Sequence, residues 1–233
     1  QAGADQFSDS QEKARIAALR EVGEPVATKP WVVEVLEDSP ATDLLKHGDV
    51  ILSVDGKPVS GPKQMSRIIR AAGPGARLPI DLRRDGEDRS VSVVTVANPE
   101  DPELGYLGIT LGVIADSPVT VDFNLDDVGG PSAGLIFSLG IVDKLTPGEL
   151  LDDRFVAGTG TMDYDGRVGR IGGIVQKMAA AKQNGAVLFL APAGNCDEVV
   201  TGAPDGLQVV PVETLAQARE VLEGTIDPPT CPV

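Results

Sequence analysis

The sequence has few of the side chains that commonly bind metals or carry protons in enzymes. Its 233 residues include one histidine, His47, and two cysteines, and aromatic residues account for only 3%. A usual zinc site needs several closely spaced Cys, His or carboxylate ligands, so we expect neither a metal nor another cofactor. No apolar run approaches the roughly 18 residues of a membrane-spanning helix.

Positive charge is also scarce. The chain has 35 Asp and Glu residues against 20 Lys and Arg residues, which gives a formal net charge of -15. Nucleic acids and anionic lipid surfaces attract basic proteins, so this balance argues against a nucleic-acid partner. The hydrophobic content of 42% is high enough for packed cores and argues against a disordered chain.

The two cysteines are Cys196 and Cys231. Cys231 stands in a proline-rich tail, where burial as a small hydrophobic residue is not expected. A disulfide between the two would fix that tail to the rest of the chain and would imply an oxidising compartment. The alternative is a pair of inert free thiols.

A serine stands at a glycine- and proline-rich turn that opens an apolar helix predicted over residues 133–144. Such a turn exposes the hydroxyl of Ser132, and nearby backbone N–H groups, those of Gly130 and Ala133, are candidates to hold an oxyanion. A serine nucleophile also needs a base that removes its proton. His47 lies far away in the sequence, which excludes a Ser-His-Asp triad built within this half of the chain.

The base could then be a carboxylate, a lysine or a group borrowed from elsewhere, and the lysines of residues 101–233 are Lys144, Lys177 and Lys182. Lys144 lies about three turns along the helix that begins at the serine, too far to reach back. On a helix predicted over residues 173–184, Lys182 points away, whereas Lys177 leans towards the buried side. Lost hydration there would favour the neutral, basic amine. The alternative is a lysine whose aliphatic stem covers core residues.

Residues 28–97 show short strands and one longer helix, predicted over Pro62–Ala72. The run Leu45-Lys46-His47-Gly48-Asp49-Val50-Ile51 and its surroundings resemble a PDZ domain of the type attached to bacterial proteases. The resemblance implies a small, mostly-β domain, here residues 27–98, that captures an extended peptide as an added strand. No carboxylate-binding signature stands at residues 28–31, and the alternative role for this domain is a spacer.

The second half interleaves strands and helices, which indicates an α/β (α+β) domain over residues 99–233. Its runs Gly130-Pro131-Ser132-Ala133-Gly134 and Gly166-Arg167-Val168-Gly169-Arg170-Ile171-Gly172-Gly173 resemble the catalytic domain of Lon proteases. The resemblance implies that Ser132 is the nucleophile, that Lys177 is the general base, and that Thr159 bonds within this dyad and orients the lysine. Many Lon enzymes have an acidic residue three positions before the serine, where this chain has Gly129.

The whole chain resembles the PDZ-linked, Lon-like proteases of bacteria. That resemblance implies an ATP-independent serine endopeptidase for loosely folded or tail-exposed proteins, self-association into a ring, and a location outside the cytoplasm. It also implies an N-terminal membrane helix that this chain lacks. The alternative is a PDZ scaffold with an inactive protease fold.

An N-terminal helix is predicted to begin near Ser8 and to end at Gly23, with residues 1–7 frayed. It resembles a helix that precedes the nucleophile segment in Lon domains. The resemblance implies that residues 1–26 pack on the protease domain and that the PDZ domain is inserted between the two.

Overall fold

The computed structural model describes residues 2–123, 130–151 and 154–232. Contacts divide the chain into two compact units, one formed by Gln1–Val26 with Val119–Val233 and the other by Ala27–Pro118. The chain therefore begins in one unit, passes through the other and returns. Within the described residues, no helix is long and apolar enough to span a membrane.

Helix α1 runs over Ala2–Glu21. The predicted start at Ser8 is wrong: residues 2–7 contain no proline that would stop the helix, and the single glycine, Gly3, lies at its first turn. The helix ends as predicted: Gly23 N–H donates to Arg20 O at 3.1 Å, and the next N–H, from Glu24, donates to Leu19 O at 2.9 Å. The buried residues of its apolar side are Ala14, Ile16, Ala17, Ala18 and Leu19.

The unit Ala27–Pro118 is a mostly-β fold with one helix. Its elements are β1 Ala27–Val35, β2 Val50–Val54, β3 Lys57–Pro58, α2 Pro62–Ala72, β4 Arg77–Arg84, β5 Glu87–Val94, β6 Val96–Ala97, β7 Gly105–Tyr106 and β8 Ile109–Asp116. The main sheet has the order β5-β4-β2-β1-β8, with β3 paired to β2. Met65 and Ile69 of α2 pack on this sheet together with apolar residues of β1, β2 and β4.

The predicted boundary between residues 98 and 99 is wrong. Strand β8 pairs with β1 from Ala27 opposite Asp116 to Val35 opposite Ile109, so the unit extends to Pro118. The polar, proline-bearing segment after residue 97 is a loop inside this unit, because β6 and β7 pair across it. Strand β8 therefore belongs to this unit and not to the second half of the chain, where the predicted boundary placed its residues.

A buried ion pair holds the loop before β2 against the end of β4. Asp49 is completely buried, and its two carboxylate oxygens accept hydrogen bonds from Arg84 Nε and Nη2, each at 2.6 Å. Arg84 also donates to Leu44 O at 3.0 Å. Hydrogen bonding to Asp49 raises the pKa of Arg84. Removing the carboxylate charge would leave a half-buried guanidinium without its partner.

We therefore predict that Asp49→Asn lowers the free energy of unfolding of this unit by about 3 kcal/mol. Asp88→Asn is the matched control. Asp88, in β5, pairs at 2.7 Å with Arg83, the neighbour of Arg84 in β4, and both of these side chains are exposed. Exposed pairs contribute little, so this control should leave stability nearly unchanged. Urea denaturation of both variants measures the difference, and equal effects would contradict the role assigned to the buried pair.

The unit Gln1–Val26 with Val119–Val233 is α/β. After α1 its elements are α3 Gly134–Leu145, β9 Val156–Gly158, β10 Thr161–Met162, β11 Val168–Gly169, α4 Ile174–Gln183, β12 Leu188–Pro192, α5 Cys196–Gly202, β13 Gln208–Val212 and α6 Leu215–Leu222. Strands β9, β12 and β13 form a parallel sheet with β12 in the centre, and β10 pairs with β11 in a short hairpin. Residues 119–123 form no strand, and the short helix α5 begins at Cys196, between β12 and β13.

Helix α1 packs on α3 within this unit. Ala17 and Ala18 share one core with Leu135, Leu139 and other residues of α3, α6 and the parallel sheet. The buried hydroxyl of Ser138 donates to Ala14 O at 3.3 Å and to Gly134 O at 2.9 Å. The N-terminal segment is thus part of the structure that supports the start of α3.

Candidate active site

Ser132 lies in a short 3₁₀ turn, Pro131–Ala133, directly before α3. Its backbone carbonyl accepts hydrogen bonds from Gly160 N–H at 2.8 Å and from Thr159 Oγ1 at 3.0 Å. The preceding carbonyl, of Pro131, accepts from Ser10 Oγ of α1 at 3.3 Å. The backbone of the turn is therefore fixed on both sides, which leaves the Ser132 side chain as the part that can react.

The position after this turn requires glycine. A Cβ atom on Gly134 would lie 2.8 Å from Met162 Cβ and from Met162 N. The start of α3 can approach β10 this closely only because Gly134 has no side chain. The close approach helps to place the serine turn against the β10–β11 hairpin.

Lys177 meets Ser132 from α4. The Lys177 ammonium Nζ donates a hydrogen bond to Ser132 Oγ at 3.1 Å, across 45 positions of sequence. The prediction that Lys177 leans towards the buried side is wrong, because its side chain is exposed. Ile174 and Met178 form the buried face of α4. Lys177 lies on the flank of that face, so its amine extends to the surface where the serine hydroxyl stands.

The other two lysines are not near the serine hydroxyl. Lys182 Nζ donates to Gly206 O at 2.6 Å. Lys144 is exposed in the last turn of α3, the helix that begins just after Ser132. Of the three lysines considered from the sequence, Lys177 is the one that the structure brings to Ser132.

Thr159 is buried at 2% exposure, and its hydroxyl donates to the Ser132 carbonyl. The prediction that Thr159 bonds to a member of the Ser132–Lys177 pair is confirmed for the serine, through its backbone, whereas its orienting of the lysine stays a prediction. Gly130 and Ala133 flank Ser132 at the first helical turn, where N–H groups lack intrahelical acceptors. Their service as oxyanion donors stays a prediction.

The acidic positions near the serine, Asp126 and Asp127, and the glycine at position 129 lie outside the described residues. The sequence analysis compared Gly129 with an acidic residue of Lon enzymes, and that comparison stays untested.

A second candidate site lies in the unit Ala27–Pro118, between α2 and β8. It is a cleft of about 160 Å³, and β8 is the edge strand of the sheet beside it. The residues that line it are Ser66, Ile69, Arg70, Asn98, Gly105, Tyr106, Leu107, Gly108, Ile109 and Leu111. An edge strand next to a helix-lined cleft is an arrangement that can accept an extended peptide as a further strand.

Residues 28–31, where no carboxylate-binding signature stands, are not a loop. Those residues lie in β1, which pairs with β2 on one side and β8 on the other. Residues 105–108, which comprise β7 and the two residues before β8, line part of the cleft. A Cβ atom on Gly105 would lie 2.3 Å from Ile69 O of α2, so only glycine permits this approach. Gly105, in the run Gly105-Tyr106-Leu107-Gly108, was the signal in the sequence for this close approach.

Family models match two stretches of the chain, although the first match begins inside α1 and ends before β6, so its bounds differ from those of the unit Ala27–Pro118. The family model for the PDZ domain matches residues 6–95, and the model for the Lon protease (S16) C-terminal proteolytic domain matches residues 127–226. Ser132 and Lys177 both fall inside the second match. The chain joins a PDZ domain to a Lon-type proteolytic domain. Its fold class is a mostly-β PDZ domain with a mixed α/β Lon domain.

Curated relatives come from two groups of proteases. "Lon protease 2" of Bacillus subtilis is 33% identical over 103 residues, which are 44% of this chain and 18% of that protein. "Archaeal Lon protease" of Methanothermobacter thermautotrophicus is 34% identical over 97 residues, 41% of this chain and 15% of that protein. "Probable periplasmic serine endoprotease DegP-like" of Ectopseudomonas mendocina is 37% identical over 83 residues, 35% of this chain and 18% of that protein. The chain thus spans less than a fifth of the length of these relatives.

Among solved structures, the PDZ domain of an SdrC-like protein from Listeria monocytogenes is 23% identical to this chain. It covers 36% of this chain and 86% of its own, with a TM-score of 0.33.

One residue of the Lon-type domain that the sequence analysis missed is Asn195. It is completely buried, its Oδ1 accepts from Ile171 N–H at 3.0 Å, and its Nδ2 donates to Ile171 O at 2.9 Å. Ile171 stands three residues before α4, the helix that carries Lys177. The Asn195 amide therefore fixes the chain where it enters the lysine helix.

Charged residues next to Ile171 and Asn195 add further contacts at the surface between the same two segments. Arg170, next to Ile171, donates to Gly194 O at 2.8 Å and pairs with Asp197 at 3.1 Å and Glu198 at 2.6 Å. Hydrogen bonding from Arg170 holds the pKa of Asp197 below its ordinary value. The segment after β12 thus holds the entry to α4 through both a buried amide and an exposed ion pair.

The predicted disulfide between Cys196 and Cys231 is present in the structure. Cys196 directly follows Asn195, and Cys231 packs against the core that contains Ile174 and Met178 of α4. The bond therefore links the C-terminal tail to the segment that holds the entry to the lysine helix.

We predict that Asn195→Ala loosens the start of α4. The substitution leaves the N–H and C=O groups of Ile171 without their partners, and we expect a loss of about 2–4 kcal/mol in the free energy of unfolding. Hydrogen exchange should accelerate at the first amides of α4. Asn184→Ala is the control, since Asn184 bonds Ala180 O at the exposed far end of the same helix. Unchanged exchange in Asn195→Ala would contradict the role assigned to this amide.

Proposed function

We propose that this protein is an ATP-independent serine endopeptidase with Ser132 as nucleophile and Lys177 as general base. The observation that carries the proposal is the 3.1 Å separation between Lys177 Nζ and Ser132 Oγ, within a domain that the Lon proteolytic model matches. The fixed backbone of the serine turn supports it, because a nucleophile must keep one position relative to its base.

The proposed reaction has two steps. Lys177, as the neutral amine, takes the proton of Ser132 while Oγ attacks the peptide carbonyl, and the oxyanion is held by N–H groups of Gly130 and Ala133. The tetrahedral intermediate collapses to an acyl-enzyme, and Lys177 gives its proton to the leaving amine. A water molecule that Lys177 activates then hydrolyses the ester and restores the serine.

The exposure of Lys177 places a condition on this mechanism. Water stabilises the charged ammonium, whereas a base must be neutral when it accepts the serine proton. A substrate strand laid across the site, or a neighbouring subunit, would displace water from the amine and favour its neutral form. We therefore expect the base to become competent when the site is covered, which fits the proposal of a ring-forming homo-oligomer.

The two units of this chain suggest how substrates are chosen. The proposed substrates are loosely folded proteins or exposed tails, since such segments need no prior unfolding to reach the exposed Lys177 and the neighbouring Ser132 hydroxyl. The PDZ domain would present such segments by accepting an extended peptide between α2 and β8. We place the protein outside the cytoplasm of a bacterium, held at the membrane by an N-terminal helix beyond this chain. The Cys196–Cys231 disulfide supports an oxidising location.

The second candidate function is a PDZ scaffold whose protease fold is inactive. The observation that favours it is the exposed Lys177 side chain, because water reaches the amine that would have to act as the base. In that case the protein would bind peptides in the PDZ cleft without cleaving them.

Degradation of an unfolded model protein without ATP tests the leading proposal. We expect cleavage by the unmodified protein and a loss of about a thousandfold or more in Ser132→Ala and Lys177→Ala. Lys182→Ala is the matched control, because Lys182 lies on the same helix and contacts Gly206 instead of the serine. Circular dichroism of each variant shows whether it remains folded.

The outcomes separate the two functions. Cleavage that survives Ser132→Ala would overturn the proposed nucleophile. Peptide binding by an unmodified protein that cleaves nothing would favour the scaffold.

A further inference from the structure

The helix beside the PDZ cleft, α2, is basic. The helix carries Lys63, Arg67 and Arg70 on its exposed side and has no acidic residue. Arg70 lines the cleft together with Ser66, one turn earlier. This is notable in a chain with a net charge of -15, where most of the surface repels acidic ligands.

The Arg70 guanidinium is available to a ligand. In the part of the chain that the structure describes, no carboxylate lies within 4.0 Å of it. This holds although the segment that leads into residues 105–108 contains Glu100, Asp101 and Glu103. A guanidinium beside a peptide cleft can form a bidentate contact with a carboxylate.

The floor of the cleft is apolar. Ile69 and Leu107 are buried there, and Ile109 and Leu111 of β8 are partly buried against the same core. The volume of about 160 Å³ is below the roughly 300–1,000 Å³ of sites for drug-sized ligands, so it suits a side chain of an extended peptide. Side chains of an added strand alternate between the floor and the outside.

We propose that the PDZ cleft selects peptide segments that place an acidic side chain against Arg70 and an apolar side chain on the cleft floor. The inference rests on the proposed capture of peptides by this domain and specifies the chemical class of the captured segment. The apolar contact supplies most of the affinity, and the Arg70 contact supplies the preference for Glu or Asp over neutral or basic residues. Acidic tails of loosely folded proteins are therefore the class of substrate that this cleft delivers.

Fluorescence anisotropy with labelled peptides tests the inference on the full chain carrying Ser132→Ala, which prevents cleavage. The peptides share one apolar residue near the C-terminus and differ by Glu, Gln or Lys at each of the neighbouring positions. At the best position we expect the Glu peptide to bind about fivefold more tightly than the Gln peptide and about tenfold more tightly than the Lys peptide. The preference should shrink as salt is raised, because the Arg70 contact is exposed.

Two charge reversals on the same helix identify the residue responsible. Arg70→Glu should remove the preference for Glu and favour the Lys peptide. Arg67→Glu is the matched control, because Arg67 is exposed on α2 and is not among the residues that line the cleft. It should leave the ratio of affinities within about twofold. A preference that persists in Arg70→Glu, or that Arg67→Glu removes equally, would overturn the assignment.

A second set of peptides with an amidated C-terminus distinguishes the side-chain carboxylate from the terminal one. The Glu preference should persist after amidation. If Arg70→Glu weakens only peptides with a free terminus, regardless of Glu, the inference is overturned.

These results remain distinct from those of the degradation assay. Equal affinity for Glu, Gln and Lys peptides overturns the inference while leaving peptide capture intact. A failure of all peptides to bind, with degradation preserved, overturns both capture and this inference but not the protease. Acid-selective binding without degradation supports the inference on a scaffold protein.

Discussion

The backbone carbonyl of Ser132 accepts two hydrogen bonds, one from Gly160 N–H and one from Thr159 Oγ1, and the geometry of the candidate site depends on this contact. Thr159 N–H in turn donates to Leu190 O of the central strand β12 at 3.0 Å. The turn that carries the serine is thereby tied to the parallel sheet. Without that connection, the hydroxyl would have no fixed position relative to a base that belongs to a different helix.

Helix α4, which carries Lys177, is also held in place. Asn195 fixes the entry to α4 through Ile171, and the Cys196–Cys231 disulfide attaches the tail beside it. The Ser132 side chain is partly exposed and that of Lys177 is exposed, whereas the groups that position them are buried. This arrangement leaves the site open to an extended chain, and it makes the chemistry of Lys177 depend on whatever covers the amine.

Residue types and spacing predicted much of this site, but local patterns could not supply its long-range contacts. The scarcity of His and Lys left Lys177 as the predicted base. Helix periodicity predicted the helix that carries it, over residues 173–184, to within one residue of the bounds of α4 at each end. The exposure of Lys177 was missed because periodicity gives a face only approximately, and a flanking lysine can extend to water. Three further features depend on contacts between residues distant in sequence, which single-sequence patterns do not encode. They are the bond of Thr159 to Ser132, the pairing of β8 with β1, and the buried bonds of Asn195 to Ile171.

Covalent trapping of the nucleophile tests the central claim most directly. The protein would be treated with a reagent that acylates activated serines, and the adduct would be located by peptide mass spectrometry in the unmodified chain and in Lys177→Met. The account predicts a single adduct on Ser132 that forms in the unmodified chain and is absent or much slower without Lys177. An adduct on another residue, or one on Ser132 that forms at the same rate without Lys177, would contradict it.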